Sequence, residues 1–176
     1  MHFSVITNAV FYDVQRYIYL LMACLSRTDA AFEKFSIDNN ADVNIKYGRQ
    51  NLGLLHGAAQ SDSVDLIELL IDKGIGVNVK NWTGQTPLHS ACRSGNREVV
   101  KFLIDKGADV NAKTEGQNQR LAGRTPLYNA VMSGNKEIVE LLISEGAEVT
   151  NDILNLAQQR GNLEIVELLK KHGATE

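Results

Sequence analysis

Apolar residues recur along the chain in a pattern that repeats itself. Four segments each begin with an acidic residue, continue with apolar residues spaced for one face of a helix, and end in a glycine: residues 65–74, 98–107, 137–146 and 164–173. The closing glycines lie 33, 39 and 27 residues apart. A fixed period of this length is typical of proteins that stack one supersecondary unit on the next. The pattern therefore predicts a 33-residue repeat, with six residues inserted in one unit and six deleted from the last.

A shorter helix is predicted before two of these segments. Residues 86–89 read Thr-Pro-Leu-His and residues 125–128 read Thr-Pro-Leu-Tyr. A threonine hydroxyl can cap the free N–H groups at a helix start, and a proline in the first turn has no N–H to leave unbonded. The glycine eight residues after each proline, Gly95 or Gly134, predicts the helix end. Each unit is thus predicted to contain a first helix, a second helix and an extended hairpin, which we call the finger.

The two irregular steps are predicted to fall in the fingers. Asn111 and Thr125 are 14 positions apart, whereas Asn78 and Thr86 in the preceding unit are 8 apart. Six extra residues are therefore expected around positions 114–119, forming either a mobile polar tip or a loop that determines specificity. In the last unit the corresponding positions, Thr150 and Asp152, are only 2 apart, so this unit is predicted to have no finger.

These motifs resemble the signature of the ankyrin repeat family, Thr-Pro-Leu-His-x-Ala followed by Gly-Ala-Asp-Val-Asn. Residues 81–113 carry both parts, and the resemblance extends over residues 20 to 175. It implies an all-α solenoid, a single domain over residues 1–176 with about five stacked helix-turn-helix units and short β-like fingers. The implied units are residues 20–46, 47–80, 81–113, 114–150 and 151–176.

The N-terminal extension, residues 1–19, is expected to cap the stack. Its apolar residues recur every three or four positions and continue into the first unit, as in an amphipathic helix. Two alternatives remain open. Residues 1–12 could instead be an exposed docking peptide, or the apolar run before Cys24 could belong to a processed signal.

Composition restricts the class of function. Eighteen Lys and Arg against 21 Asp and Glu leave a net charge of -3, which does not suit a strongly basic nucleic-acid binder. Two cysteines are too few for a disulfide framework and suit a reducing compartment. No apolar run is long enough to predict a membrane helix. We therefore expect a cytoplasmic, monomeric protein whose partner is neither nucleic acid nor membrane.

Motifs for catalysis, cofactors and metals are not found in the sequence. The histidines and cysteines form no metal-spaced pair, and no phosphate-binding glycine loop or nucleophile elbow is present. We predict no enzymatic activity, no cofactor and no metal. The family resemblance implies a structural role for His56 and His89, which would tether a helix start to the neighbouring finger, whereas Tyr128 and Asn155 do not match that position.

Charge divides between the two sides of the predicted stack. The finger and first-helix segments from residue 46 onward carry +6, and the second-helix segments carry -6. A basic concave surface would attract a protein with an acidic patch. The alternative is that Lys46, Lys80 and Lys113 are only the common finger lysine of the family, which leaves the arginines as the informative charges.

The concave positions that vary in the family are the predicted partner-binding set. They are Arg49, Gln50, Leu52, Trp82, Thr83, Gln85, Ser90, Arg93, Leu121, Arg124, Asn129, Met132 and Gln159. Trp82, the only tryptophan, is either an interface hot spot or packs sideways on neighbouring fingers.

We predict a protein-protein interaction module, acting as adaptor, inhibitor or scaffold. One alternative is a secreted effector that acts in a host cytosol. Another is a small-molecule or nucleotide sensor with a pocket between the fingers, around Trp82, Arg49 and Arg93.

Overall fold

The computed structural model describes residues 46–47, 52–61, 63–115 and 122–173. The expectations for the N-terminal cap and for most of the first unit fall outside these ranges. Two short strands and eight helices occur in the described part of the chain. The strands are β1, Lys46–Tyr47, and β2, Leu52–Gly53; the helices are α1, Leu54–Ala58; α2, Val64–Asp72; α3, Pro87–Ser94; α4, Arg97–Asp105; α5, Pro126–Ser133; α6, Lys136–Ser144; α7, Asn151–Gln159; and α8, Leu163–Lys171.

The helices begin and end where the sequence predicts. α3 and α5 start with proline directly after Thr86 and Thr125, and both end at a glycine in the left-handed conformation, with φ of 82° at Gly95 and 74° at Gly134. A residue with a Cβ is strained in that conformation, so glycine ends the helix at least cost. The next helix then starts after an asparagine whose side chain accepts the N–H of the residue three positions on.

The strands β1 and β2 pair antiparallel, with Lys46 opposite Gly53 and Tyr47 opposite Leu52. They lie immediately before α1, the position that the repeat assigns to a finger. At the other end of the chain, α7 begins at Asn151 with Thr150 as its N-cap, and only six residues separate it from the end of α6 at Ser144. The fifth unit is therefore reached without a finger, as the sequence predicts.

Packing between units buries one apolar side of every helix. First helices contact the first helices of the next unit, and second helices contact second helices. Two sets of core side chains have no solvent exposure: the alanines of the first helices, Ala58, Ala91 and Ala130, and the leucines of the second helices, Leu70, Leu103, Leu142 and Leu169. Each fully buried leucine contributes roughly 1.5 to 3 kcal/mol, so the stability of the stack comes from its interfaces.

Asparagine side chains add a polar link between successive units. Asn78 donates from Nδ2 to the Gly107 carbonyl at 3.0 Å and accepts the Asp109 N–H at 2.8 Å. Asn111 repeats both bonds one unit later, with the Gly146 carbonyl and the Glu148 N–H, each at 2.9 Å. Asn78 and Asn111, each of which follows a valine, therefore help to fix the spacing between the second helices of successive units.

Candidate functional site

Two histidines hold the fingers against the first helices. His56 Nε2 lies 2.9 Å from the Gln85 carbonyl oxygen, and His89 Nε2 lies 3.0 Å from the Arg124 carbonyl oxygen. Gln85 and Arg124 occupy the same place in two successive fingers, which we call the third finger, residues 78–85, and the fourth finger, whose described residues are 111–115 and 122–124. Each histidine thus binds the backbone of the next unit's finger, which is the tether implied by the family resemblance.

His89 is held as a neutral ring. Its Nδ1 accepts the N–H of Thr86 at 3.1 Å, so Nε2 carries the proton that is donated to the Arg124 carbonyl. Burial lowers the pKa of His89 from 6.5 to about 4, and the hydrogen bond to Arg124 offsets only part of that shift. A buried neutral histidine whose two ring nitrogens are both bonded is a structural group, as the sequence predicted, and not an acid or base for catalysis.

Backbone hydrogen bonds define each finger and join it to the next. In the third finger the Asn81 N–H donates to the Gln85 carbonyl at 3.0 Å, and in the fourth the Thr114 N–H donates to the Arg124 carbonyl at the same distance. The Glu115 N–H then donates to the Thr83 carbonyl at 2.9 Å, which connects the two fingers.

This register corrects the position of the insertion. Thr114 corresponds to Asn81, and its side chain is buried and accepts the Arg124 N–H at 2.9 Å. Glu115 also contacts the third finger. The two residues are therefore part of the regular finger, and the six extra residues correspond to positions 116–121, which lie outside the described ranges.

The structure exposes several of the predicted partner-binding residues. Trp82 is 56% exposed in the turn of the third finger, and Met132 is 36% exposed on α5. Arg93 on α3 and Gln159 on α7 are also exposed, at places equivalent to Met132 in the repeat. These three helix positions form a column across the first helices.

Three residues of the predicted set do not reach the surface. Thr83 is buried, and its hydroxyl donates to Asn81 Oδ1 at 2.8 Å inside the finger. Asn129 is buried and donates from Nδ2 to the His89 carbonyl at 2.9 Å. Ser90 has no exposed surface, because its place on the first helix is covered by neighbouring structure. Thr83 and Asn129 thus form hydrogen bonds within the stack, and none of the three side chains offers a surface to a partner.

Four further residues of the set lie wholly or partly outside the described ranges. Arg49, Gln50 and Leu121 lie outside the described ranges, and for Leu52 only the backbone, in β2, is described. The predicted sensor pocket includes Arg49 and therefore stays a prediction.

The lysines of the fingers form ion pairs, whereas the guanidinium of Arg93 contacts a neutral amide. Lys80 pairs with Glu115 of the next finger at 2.6 Å, and Lys113 approaches Glu148 of the next unit at 3.8 Å. Both pairs run between units, which favours the structural interpretation of these lysines. Arg93 instead points Nη2 towards Gln85 Oε1, at 3.4 Å, on the exposed surface between α3 and the third finger.

A cleft lies beside the fourth finger, where a fifth finger would otherwise stand. Its volume is about 370 Å³, and it is lined by Lys113, Ala122, Gly123, Arg124, Thr125, Tyr128, Glu148, Thr150, Asp152 and Ile153. The Arg124 guanidinium stacks on the Tyr128 ring, 4.6 Å from its centre. Sequence reasoning did not select Tyr128. The available signal was the coincidence of two departures from the repeat, a tyrosine in place of the tether histidine and a missing finger after it.

Sites for metals and reactive thiols are not found in the described ranges. No group of three His, Cys, Asp or Glu residues there could hold a metal ion. Cys92 is buried, and burial raises the pKa of its thiol far above the ordinary value, so the thiolate is not formed. None of the helices in the same ranges is long and apolar enough to cross a membrane.

Comparison with known families agrees with this architecture. A family model described as ankyrin repeats (3 copies) matches residues 20–114 and residues 113–175. No curated protein sequence matches the chain. Ankyrin repeats generally mediate protein-protein interactions and are typically non-enzymatic. Because the two matches cover most of its length and the helices, glycines and histidine tethers stand at the repeat positions, the chain belongs to the ankyrin repeat family.

Proposed function

We propose that this protein binds an acidic partner protein through the concave surface formed by its fingers and first helices. The contact centres on Trp82 and Arg93 and extends to Gln85, Met132 and Gln159. The observation that carries this proposal is the exposure of Trp82, which presents more than half of its side chain to solvent.

An exposed tryptophan on a rigid support is suited to binding. The third finger is held by the His56 contact at 2.9 Å to the Gln85 carbonyl and by the Glu115 bond at 2.9 Å to the Thr83 carbonyl. Trp82 is therefore presented by a fixed backbone, so little ordering cost accompanies its burial against a partner. Tryptophan and arginine are the residue types most enriched among interface hot spots.

The charges of the same surface favour an acidic partner. Lys80 and Lys113 have carboxylate neighbours from the next unit, whereas the side chain of Arg93 lies beside a neutral amide. A cation without a nearby carboxylate contributes more to the field felt by an approaching protein. Arg93 is therefore the proposed steering charge at the centre of the site.

Two matched pairs of variants test the proposal once the partner has been isolated by affinity purification from native lysate. Trp82→Ala should weaken binding by about 2 kcal/mol, since a central aromatic anchor is lost. Its control is Leu163→Ala, which truncates a side chain that is 75% exposed on the second-helix side. Equal affinity of the Trp82 variant and the wild type, with both folded by circular dichroism, would remove Trp82 from the site.

The second pair reverses charge on the two sides of the stack. Arg93→Glu should slow association and flatten its dependence on salt concentration, while Arg97→Glu, an exposed position at the start of α4, should change neither. Stopped-flow association rates from low to high salt give the measurement. Equal effects of the two variants would argue against a concave site.

A further inference from the structure

Glu115 occupies the space beside the third finger. Its N–H donates to the Thr83 carbonyl of the third finger at 2.9 Å, and its carboxylate pairs with Lys80 of that same finger at 2.6 Å. This one residue thus supplies both a hydrogen bond and a salt bridge to the preceding finger.

The fourth finger presents the same two groups without that residue. Ala122 stands where Thr83 stands in the third finger, and no described residue donates to its carbonyl. Lys113 stands where Lys80 stands, and its ammonium is 3.8 Å from Glu148, a longer pair than the 2.6 Å contact of Lys80. Within the described ranges, no residue therefore covers the edge of the fourth finger as Glu115 covers the edge of the third.

Two equivalent glycines show the same difference. Gly84 and Gly123 both have φ of 77°. A Cβ added to Gly84 would collide with the backbone nitrogen of Glu115, whereas one added to Gly123 would meet nothing within 4 Å. The space next to Gly123 is the cleft of about 370 Å³ that reaches down to Tyr128 and Ile153.

We propose that an extended, carboxylate-bearing segment of the partner protein occupies this cleft as a substitute fifth finger. An Asp or Glu of the segment donates its N–H to the Ala122 carbonyl and pairs its carboxylate with Lys113, while a flanking side chain contacts Tyr128. Addition of a partner strand to an open edge is an established mode of peptide recognition, because the main-chain bonds give affinity and the side-chain contacts give specificity. The inference rests on the protein-binding function proposed above and specifies its partner's chemistry at a second place, one unit away from Trp82.

The test uses a phage-displayed library of random 12-residue peptides selected on the full chain. The expected result is enrichment of sequences with a carboxylate next to residues that favour extended backbone. For the best peptide, Lys113→Ala should raise Kd about threefold, the size expected for an exposed ion pair. Lys80→Ala is the matched control and should leave Kd unchanged, because the partner of Lys80 is Glu115 of the chain itself.

A double-mutant cycle makes the assignment specific. Replacing the peptide's Glu by Gln should raise Kd on the wild type and not on the Lys113→Ala variant, since the two changes remove the same pair. Independent effects of the two changes, or no carboxylate among the selected peptides, would overturn the proposal. Trp82→Ala should leave peptide binding intact, so a failure here is distinguishable from a failure of the concave site.

In a third variant, Asn151 is replaced by a copy of residues 79–85 and Asp152 is replaced by Thr. These changes restore a fifth finger, which fills the cleft, so the variant should not bind the peptide. Peptide binding that survives in a folded restored-finger variant would overturn the proposal. So would a tenfold gain in affinity on removal of residues 116–121 or 174–176, because the cleft would then belong to a segment of this chain. If the restored-finger variant does not fold, the Lys113 and Lys80 pair still decides.

Discussion

The junction between the third and fourth units differs from the junction between the fourth and fifth. At the first, His89 binds the Arg124 carbonyl of the next finger, and Glu115 joins that finger to the one before it. At the second, no finger follows, and Tyr128 replaces the histidine, stacked under Arg124 beside a cleft. The second helices pack closely at both junctions, as Leu103, Leu142 and Leu169 are all fully buried.

This difference separates two roles of the repeat. The helices supply the apolar interfaces that stabilise the stack, and the fingers supply polar contacts that shape its concave edge. Removing one finger leaves the helical stack continuous but opens a polar cleft at its end.

The largest expected effect concerns the leucines between second helices. Leu103→Ala should lower the free energy of unfolding by about 3 kcal/mol, because the cavity it leaves is enclosed by units on both sides. Leu169→Ala should cost less, about 2 kcal/mol, since the last helix α8 can move into the space from its open side. Urea unfolding followed by circular dichroism measures both. An equal or larger loss for the Leu169 variant would mean that the end of the stack is as constrained as its centre.

The second effect is a pH dependence at the complete junction. The pKa of His89 is about 4 when folded and 6.5 in the reference state, so the unfolded chain binds the proton first as pH falls. The contribution of neutral His89 to the free energy of unfolding is present above pH 6.5 and is lost as pH falls towards 4. Between pH 7 and pH 5 this contribution falls by about 2 kcal/mol. Urea unfolding at the two pH values should show this loss in the wild type and a smaller one in His89→Gln. Tyr128→Gln is the control and should keep the wild-type pH dependence, and identical slopes for all three proteins would contradict the assignment to His89.

The third effect compares two helix-capping asparagines. Asn135 accepts the Ile138 N–H at 3.0 Å and donates to the Gly95 carbonyl at 3.2 Å, whereas the equivalent bonds of Asn162 are 3.5 Å and 3.4 Å long. Asn135→Ala should therefore destabilise by about 1 kcal/mol and Asn162→Ala by about half of that. Thermal unfolding monitored by calorimetry measures the loss of stability in each variant. A larger loss for Asn162→Ala would show that the hydrogen bonds between units are at least as strong at the last junction as at the junction before it.

The smallest effect concerns the exposed lysine pairs. Lys80→Ala breaks a 2.6 Å contact with Glu115 and should cost about 0.5 kcal/mol, while Lys113→Ala breaks the 3.8 Å approach to Glu148 and should cost about 0.2 kcal/mol or less. Chemical unfolding at low and high salt should show the Lys80 effect shrinking as salt is added. A larger cost for Lys113 would mean that its pair already closes the last junction.

Much of the fold could be predicted because its signals are local. A threonine before a proline starts α3 and α5, a left-handed glycine ends each, and the apolar spacing assigns Leu103 and Leu142 to the core. These signals depend on residues within one or two turns of one another. The partner-binding set was less predictable, since exposure depends on what the next unit covers. Ser90 and Asn129 belong to variable positions of the family and yet are buried between first helices.

The register of the insertion shows the same limit. Counting placed six extra residues near Thr114, but only the hydrogen bonds of Thr114 with Arg124 and of Glu115 with Thr83 show that those two residues belong to the regular finger. Both bonds join residues at least ten positions apart, so no local pattern reports them.

The amino-acid sequence by itself determined the period of the repeat, the starts and ends of most helices, the apolar side of each and the absence of a finger in the last unit. Tertiary structure decided which variable side chains are accessible, that Lys80 and Lys113 face carboxylates of the next unit, and that a cleft opens beside Gly123. The physical reason is that helix capping and amphipathic spacing act within a unit, whereas burial, ion pairing and cleft formation depend on the unit stacked alongside.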